Sequence, residues 1–259
     1  MVDDDPSRRP DHGDTGGDGP PVVLIPGLLF DHASFDAQVE ELGDVWRMIA
    51  WDLHAAARRP ARTPNDCWDL AVELLGLLDR LGIERAVLVG AGEGGAVATR
   101  ATLMSPDRVR GLVLIASEVD REPAGRRQRF DDLVAAWRHD GLTDEVARLA
   151  AELVVGAAAA DPLRPLWTGW TPQELEWGVS CLLDRDDVSG RLPEIDAPAL
   201  VVHGAEDRAV PPERVRAICD ALHDCRGPAE IDGGGHAPHL THPEAVNRVL
   251  RAFLEELPG

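Results

Sequence analysis

LVGAGEGGAVA, Leu88 to Ala98, is the stretch around which the rest of the sequence takes its meaning. A short apolar run, Leu88-Val89, passes into glycines at 90, 92, 94 and 95 and then into small helix-forming residues. This reads as a strand that ends in a tight glycine turn and opens a helix. Glycine at the centre of such a turn tolerates the positive φ that the reversal demands.

Outward from this turn, apolar runs of strand length alternate with amphipathic runs of helix length. PVVLIPG (Pro21–Gly27), VWRMIAWDL (Val45–Leu53), RAVLVG (Arg85–Gly90) and RVRGLVLIAS (Arg108–Ser117) read as strands. ASFDAQVEEL and NDCWDLAVELLGLLDRLGI read as helices, the second with Trp68, Val72, Leu75, Leu78 and Leu81 at helical spacing and Asn65 as N-cap. This βαβα order predicts a mostly parallel central sheet with helices on both faces. Between Glu118 and Ile195 the segments FDDLVAAWRH, TDEVARLAAELVVGAAAA and TPQELEWGVSCLLDR are helical with no strand between them. The strand–helix alternation then resumes with APALVVHG, PPERVRAICDAL, GPAEID and HPEAVNRVLRAFLEEL. The division expected is an α/β core over 21–117 and 196–259, and an inserted helical cap over 118–195. In a parallel sheet, an insertion at the carboxyl edge lies over the ligand crevice.

The chain has 259 residues, 44% of them hydrophobic, which suffices for one large domain. It contains no apolar run of about 18 residues, so no membrane span is expected. Residues 1–20 are polar, acidic and rich in Gly and Pro, and read as a disordered tail without the apolar core of a secretory signal. A cytoplasmic protein with four free thiols (Cys67, Cys181, Cys219, Cys225) is the consequent expectation. No cysteine or histidine spacing suggests a metal site, and no cofactor is expected. The formal net charge of −20 opposes nucleic acid and anionic membranes as partners. Every basic residue other than histidine is arginine, and tyrosine is absent. Schiff-base lysine chemistry and a tyrosine acid are thereby excluded.

Four segments in order resemble the α/β-hydrolase family, over roughly residues 21–257: VVLIPGLL, LVGAGEGGAVA, PALVVHGAEDRAVPPE and IDGGGHAPHLTHPEAV. The resemblance implies an oxyanion turn, a nucleophile elbow, an acid loop and a histidine loop, in the family's chain order. Residue by residue, it implies His236 as general base and Asp207 as the carboxylate that orients it. The backbone amides of Leu28 and Glu93 become the oxyanion hole. Glu118, at the end of its strand, is the reserve acid. Two departures stand out. The loop after Trp51-Asp52-Leu53 runs His54-Ala55-Ala56-Ala57 where the family commonly has R-G-x-G. The elbow, G-x-S-x-G in the family, reads Gly90-Ala91-Gly92-Glu93-Gly94, so glycine occupies the nucleophile position.

Without a hydroxyl at 92, no acyl-enzyme can form there. His236 could activate a water or take a proton from the substrate, in hydrolysis or in a lyase, isomerase or cyclase step. Glu93 complements the dipole of the helix it opens, or serves as a proton donor if its side chain turns into the pocket. The expected substrate is a hydrophobic, carbonyl-bearing small molecule, such as a polyketide-like product of secondary metabolism. Leu29, His54, Trp137, Trp167 and Trp170 are candidate pocket residues, whereas His239 and His242 read as surface residues at a helix start. Two other readings stay open: a serine esterase inactivated by a Ser-to-Gly change at 92, and a non-catalytic binder of small ligands.

Overall fold

The computed structural model describes residues 12–53, 66–121, 124–155, 167 and 170–258. Seven strands form one sheet: β1 (His12–Asp14), β2 (Pro21–Ile25), β3 (Arg47–Trp51), β4 (Ala86–Ala91), β5 (Val109–Ile115), β6 (Ala199–Gly204) and β7 (Cys225–Ile231). Their order is β1-β3-β2-β4-β5-β6-β7, parallel throughout except for β1 against β3.

The alternation of side chains along a strand separates the two layers. In β2, Val23 and Ile25 face one apolar layer with Leu88, Leu112 and Val201, whereas Val22 and Leu24 face the other with Val89, Val113 and Val202. Helices α2 (Cys67–Arg80), α3 (Glu93–Met104) and α7 (Pro212–Ala221) cover the first face. Helices α1 (Asp36–Leu42) and α9 (Pro243–Glu256) cover the second, and α9 buries Val246, Leu250, Phe253 and Leu254 at helical spacing. Between β5 and β6 lie α4 (Ala124–Asp140), α5 (Asp144–Val154) and α6 (Pro172–Leu183). Their apolar faces form a separate cluster with Leu28, Leu29, Phe30 and Ala237 of the sheet's loops.

Three local expectations are corrected. His12–Asp14 are not part of a disordered tail but an edge strand, held to β3 by Arg47, whose Nε and Nη2 donate to Asp14 at 3.1 and 2.6 Å. An edge strand needs only backbone partners and one such pin, so apolar patterning does not announce it. Helix α2 begins one residue later than expected: Asp66, not Asn65, accepts from the amides of Trp68 and Asp69. Its buried side is Leu70, Leu74, Leu77 and Leu78, which leaves Val72 47% exposed. Finally, Cys219 and Cys225 are joined as a disulfide, while Cys67 and Cys181 are free and buried. The last turn of α7 brings Cys219 beside the first residue of β7, with Cα atoms 5.4 Å apart, inside the bridging range.

Candidate active site

The turn after β4 is built by sterics. A Cβ at Gly90 would stand 2.4 Å from the carbonyl carbon of Gly94, one at Gly94 would stand 2.1 Å from Ile25 O, and one at Gly95 would stand 2.0 Å from Ser117 Oγ. These three glycines let the first turn of α3 settle onto β2, β4 and the end of β5. Gly92 differs from them. Its φ of +51° and ψ of −117° hold it in the left-handed half of backbone space at the N-cap of α3. Its N–H donates to Ile115 O at 2.9 Å, which ties the tip of the turn to the neighbouring strand. Among the described residues, and apart from its chain neighbours and its own helix backbone, a Cβ on Gly92 would meet only His236 Nε2 and Gly27 Cα, both at 3.8 Å. The position has room for a Cβ in ordinary van der Waals contact with an imidazole.

That imidazole is set by two loops. Gly233, Gly234 and Gly235 carry the chain from β7 to His236. The loop after β6 is tied to this turn by Ala205 N–H to Ile231 O at 2.9 Å and Glu206 N–H to Gly234 O at 2.7 Å. Asp207 Oδ2 then lies 3.0 Å from His236 Nδ1, and Asp207 Oδ1 accepts from the amides of Ala209 at 2.7 Å and Val210 at 3.1 Å. Burial works against the charge of this carboxylate. The His236 hydrogen bond, the imidazole's charge and the two amides outweigh it and hold Asp207 below the usual aspartate range. His236 therefore presents Nε2 to the space above Gly92, with Nδ1 anchored behind it.

Gly27 approaches the same turn so closely that a Cβ there would be 3.1 Å from Ala91 O and 3.8 Å from Glu93 N. This brings the Leu28 and Glu93 stretches side by side. Leu29, next along, has φ +67°, and its carbonyl accepts from Trp167 Nε1 at 2.8 Å. The inserted helical segment thus grips the turn after β2 through one indole.

A pocket of about 590 Å³, its open mouth included, lies over these groups. Gly27, Leu28, Phe30, Ala91, Gly92 and Glu93 form its floor, and His236, Ala237 and His239, together with Phe130, Leu153 and Leu182 from the inserted helices, also line it. Leu29, Trp137, Trp167 and Trp170 are not in this lining, contrary to the sequence reading. They are buried in the cluster that seats the inserted helices on the core, because their large apolar surfaces go to packing there. His54 lies outside the described residues. Glu93 is 2% exposed and belongs to the pocket floor. Glu118 also reaches the pocket, but its carboxylate pairs with Arg185 Nη2 at 3.4 Å and with Arg214 Nη1. The Arg185 side chain is 1% exposed and donates further to Asp120 O at 2.7 Å and Leu182 O at 2.6 Å. Glu118 is thus committed to an arginine cluster and not to His236.

Two buried histidines escape the sequence reading. His203, near the end of β6, is 3.9 Å from Asp207 Oδ2, and burial lowers its pKa. His239 is 1% exposed and not a surface residue, since the short helix α8 (Pro238–Thr241) turns it inward against Phe35. The loop spacing alone gave no sign of which histidine faced in. Cys67 and Cys181 are poorly suited to act as nucleophiles: burial pushes the Cys67 thiol up to about 12, and Cys181 is raised as well.

The chain matches the family model of the alpha/beta hydrolase fold over residues 20–243. It is 30% identical to a pimeloyl-[acyl-carrier protein] methyl ester esterase of Xanthomonas oryzae pv. oryzae, over 95% of this chain and 100% of that protein. It is also 30% identical to a segment of the polyketide synthase ThaQ of Burkholderia thailandensis, covering 93% of this chain and 12% of that protein. Among solved structures, a thermophilic esterase from Thermogutta terrifontis superposes with a TM-score of 0.84 at 26% identity, covering 95% of this chain and 92% of that one. With its parallel sheet, its glycine turn and these relatives taken together, the chain belongs to the α/β-hydrolase fold family and is an enzyme of that fold.

Proposed function

We propose that the protein acts on a hydrophobic, carbonyl-bearing small molecule with the His236–Asp207 pair as general base and with no covalent enzyme intermediate. One observation carries this reading: beyond its chain neighbours and the backbone of its own helix, a Cβ on Gly92 would meet nothing among the described residues nearer than His236 Nε2 and Gly27 Cα at 3.8 Å, so Nε2 borders the space above Gly92. A water or a substrate atom held there would be within reach of the imidazole.

In the hydrolytic form of the reaction, a water in that space gives a proton to His236 Nε2 as its oxygen attacks the carbonyl carbon. The charge that develops on the carbonyl oxygen is met by the amides of Leu28 and Glu93, the latter at the positive end of α3. Collapse of the tetrahedral species expels the alkoxide or thiolate leaving group, which takes the proton back from His236. Asp207 stabilises the imidazolium during this interval and keeps the ring in one tautomer. The same base could instead remove a carbon-bound proton in a lyase, isomerase or cyclase step. Glu93 is the acid best placed to return a proton to such a substrate. The α4, α5 and α6 helices serve as a cap that keeps bulk water from the carbonyl. The methyl ester esterase and polyketide synthase relatives support an acyl ester or thioester, and a place in secondary metabolism.

A second reading rests on the same glycine. Since a Cβ at 92 meets no clash, a serine there would restore an elbow of the G-x-S-x-G type, and the chain would be an esterase disabled at one residue. The test of the main reading is turnover of a panel of esters, thioesters and lactones by the parent and by His236→Ala. A loss of about 10²-fold or more is expected, the scale of general-base removal. Turnover within about threefold of the parent would remove His236 from the mechanism.

A further inference from the structure

His239 is a polar side chain placed where it has nothing polar to do. It lies on the pocket wall beside His236, and its side chain is sealed from solvent. Neither Nδ1 nor Nε2 has a hydrogen-bond partner among the described residues. The ring is stacked on Phe35 with centroids 4.6 Å apart and 27° between planes, and it meets Phe30 edge-on at 6.4 Å. Its backbone is pinned from behind: the His239 carbonyl accepts from Gln38 Nε2 at 3.2 Å, and Gln38 Nε2 also donates to Asn247 Oδ1 at 2.7 Å. The imidazole is therefore held firmly in an apolar wall with its donor and acceptor both unused. Unmade hydrogen bonds in a protein interior are costly, and native structures rarely keep them without a use. A phenylalanine would fill the same aromatic slot at no such cost.

We infer that His239 is a substrate-recognition residue: a substrate that displaces the side chains sealing the ring hydrogen-bonds it through a second oxygen, a hydroxyl group set apart from the reacting carbonyl. A hydroxyl suits either imidazole tautomer, as acceptor from the N–H or as donor to the bare nitrogen. Because burial drives its pKa down to about 3, His239 stays neutral and does not compete with His236 as the base. The substrate class is thereby narrowed to hydroxylated acyl compounds, an assignment that rests on the function proposed above. A buried polar group left unpaired by the wrong ligand is also a strong basis for discrimination.

The test uses two ketones that cannot be hydrolysed, 4-hydroxynonan-2-one and nonan-2-one, titrated by calorimetry into the full chain. The hydroxyketone is expected to bind about tenfold more tightly to the parent, one good hydrogen bond's worth. In His239→Phe the preference should fall to near unity while nonan-2-one binding stays within about threefold. His239→Gln, which keeps a donor and an acceptor, should retain part of the preference. His239→Phe should also melt at or above the parent temperature, since it removes an unsatisfied group and keeps the stacking on Phe35. A preference that survives in His239→Phe, no preference in the parent, or a clear fall in melting temperature for His239→Phe would each overturn the assignment. Should His239→Phe fail to fold, loss of the preference in His239→Leu with its retention in His239→Gln supports the assignment, and equal preferences in the two overturn it. The titrations are repeated in His236→Ala, where base-catalysed retro-aldol cleavage of the hydroxyketone is removed, so failure here is distinct from failure of His236 as base, which the His236→Ala turnover measurement reads.

Discussion

Asp207 Oδ2 stands 3.0 Å from His236 Nδ1, while the other oxygen of the same carboxylate is held by the amides of Ala209 and Val210. A carboxylate bound on both sides has one orientation, and it passes that orientation to the imidazole. Asp207→Asn should keep the fold and lose about 10²–10⁴-fold in kcat/KM, because an amide can hold the ring in the wrong tautomer. Glu118→Gln, by contrast, should remain within about tenfold in activity and lose about 1–3 kcal/mol of stability, as its partners are Arg185 and Arg214. Steady-state kinetics and melting of both variants decide the matter. The reverse ranking would make Glu118 the relay acid.

The indole of Trp167 offers a second measurable contact. It donates to Leu29 O at 2.8 Å, and its ring is fully buried. Trp167→Phe keeps much of the apolar area but strands a buried carbonyl on the turn that supplies the Leu28 amide. The expected loss is about 1–3 kcal/mol in chemical denaturation, with a fall in kcat that exceeds any rise in KM. Denaturation unchanged within about 0.5 kcal/mol would show that the bond contributes nothing.

What the sequence made legible follows from where its information is local. Gly90 answers to Gly94 within the turn itself, and although Gly94 and Gly95 answer to Ile25 and Ser117 on neighbouring strands, the run of glycines is local, so LVGAGEGGAVA announces the turn by itself. His236 and Asp207 sit on loops whose flanking strands and glycines mark them, and the structure brings the two within hydrogen-bonding distance. Other features depend on which partner a residue meets across the fold. The tryptophans of the insertion have the composition of a ligand pocket and of a packing core alike, and only the position of Leu28–Phe30 beneath them separates the two. The inward turn of His239 is set by Phe35 and Gln38, residues far away in sequence. The Cys219–Cys225 pair lacks any spacing that would distinguish it from two small buried residues, and the strand at His12–Asp14 is polar throughout.

The burial of His239 has a consequence for stability against pH. Its folded-state pKa is about 3, against an ordinary 6.5. Below pH 6.5 the unfolded chain takes up a proton at this site and the folded chain does not. Stability is therefore lost as pH falls from 6.5 towards 3, with a slope of about 1.4 kcal/mol per pH unit. Burial lowers His203 in the same direction, and protonation of neighbouring His236 further disfavours a charge on His239. His239→Phe removes one of these proton sinks. Between about pH 6 and pH 4, its denaturation free energy should fall less steeply than the parent's by about 1.4 kcal/mol per unit. Parallel curves for the two proteins would mean that the imidazole is hydrated or paired in solution.

The last prediction concerns Gly92. Gly92→Ser places a β-carbon 3.8 Å from His236 Nε2, so a hydroxyl one bond further on can reach the imidazole. The cost is the positive φ of 51°, about 1–2 kcal/mol for a residue with a side chain, and the melting temperature should drop accordingly. The variant should react with a fluorophosphonate probe at the introduced hydroxyl, and the parent should not react at the elbow, having no oxygen there. If the dyad works in the parent through a water or a substrate proton, the added hydroxymethyl group occupies that space and the parent's own reaction should fall. Ester cleavage by the variant should then stay modest, because the pocket is shaped for a different approach to the carbonyl. A gain of about 10³-fold or more in aryl ester hydrolysis, from a parent inactive on every compound tried, would instead identify a complete esterase lacking one atom group. Labelling, melting and ester kinetics on the one variant therefore separate the two readings of Gly92.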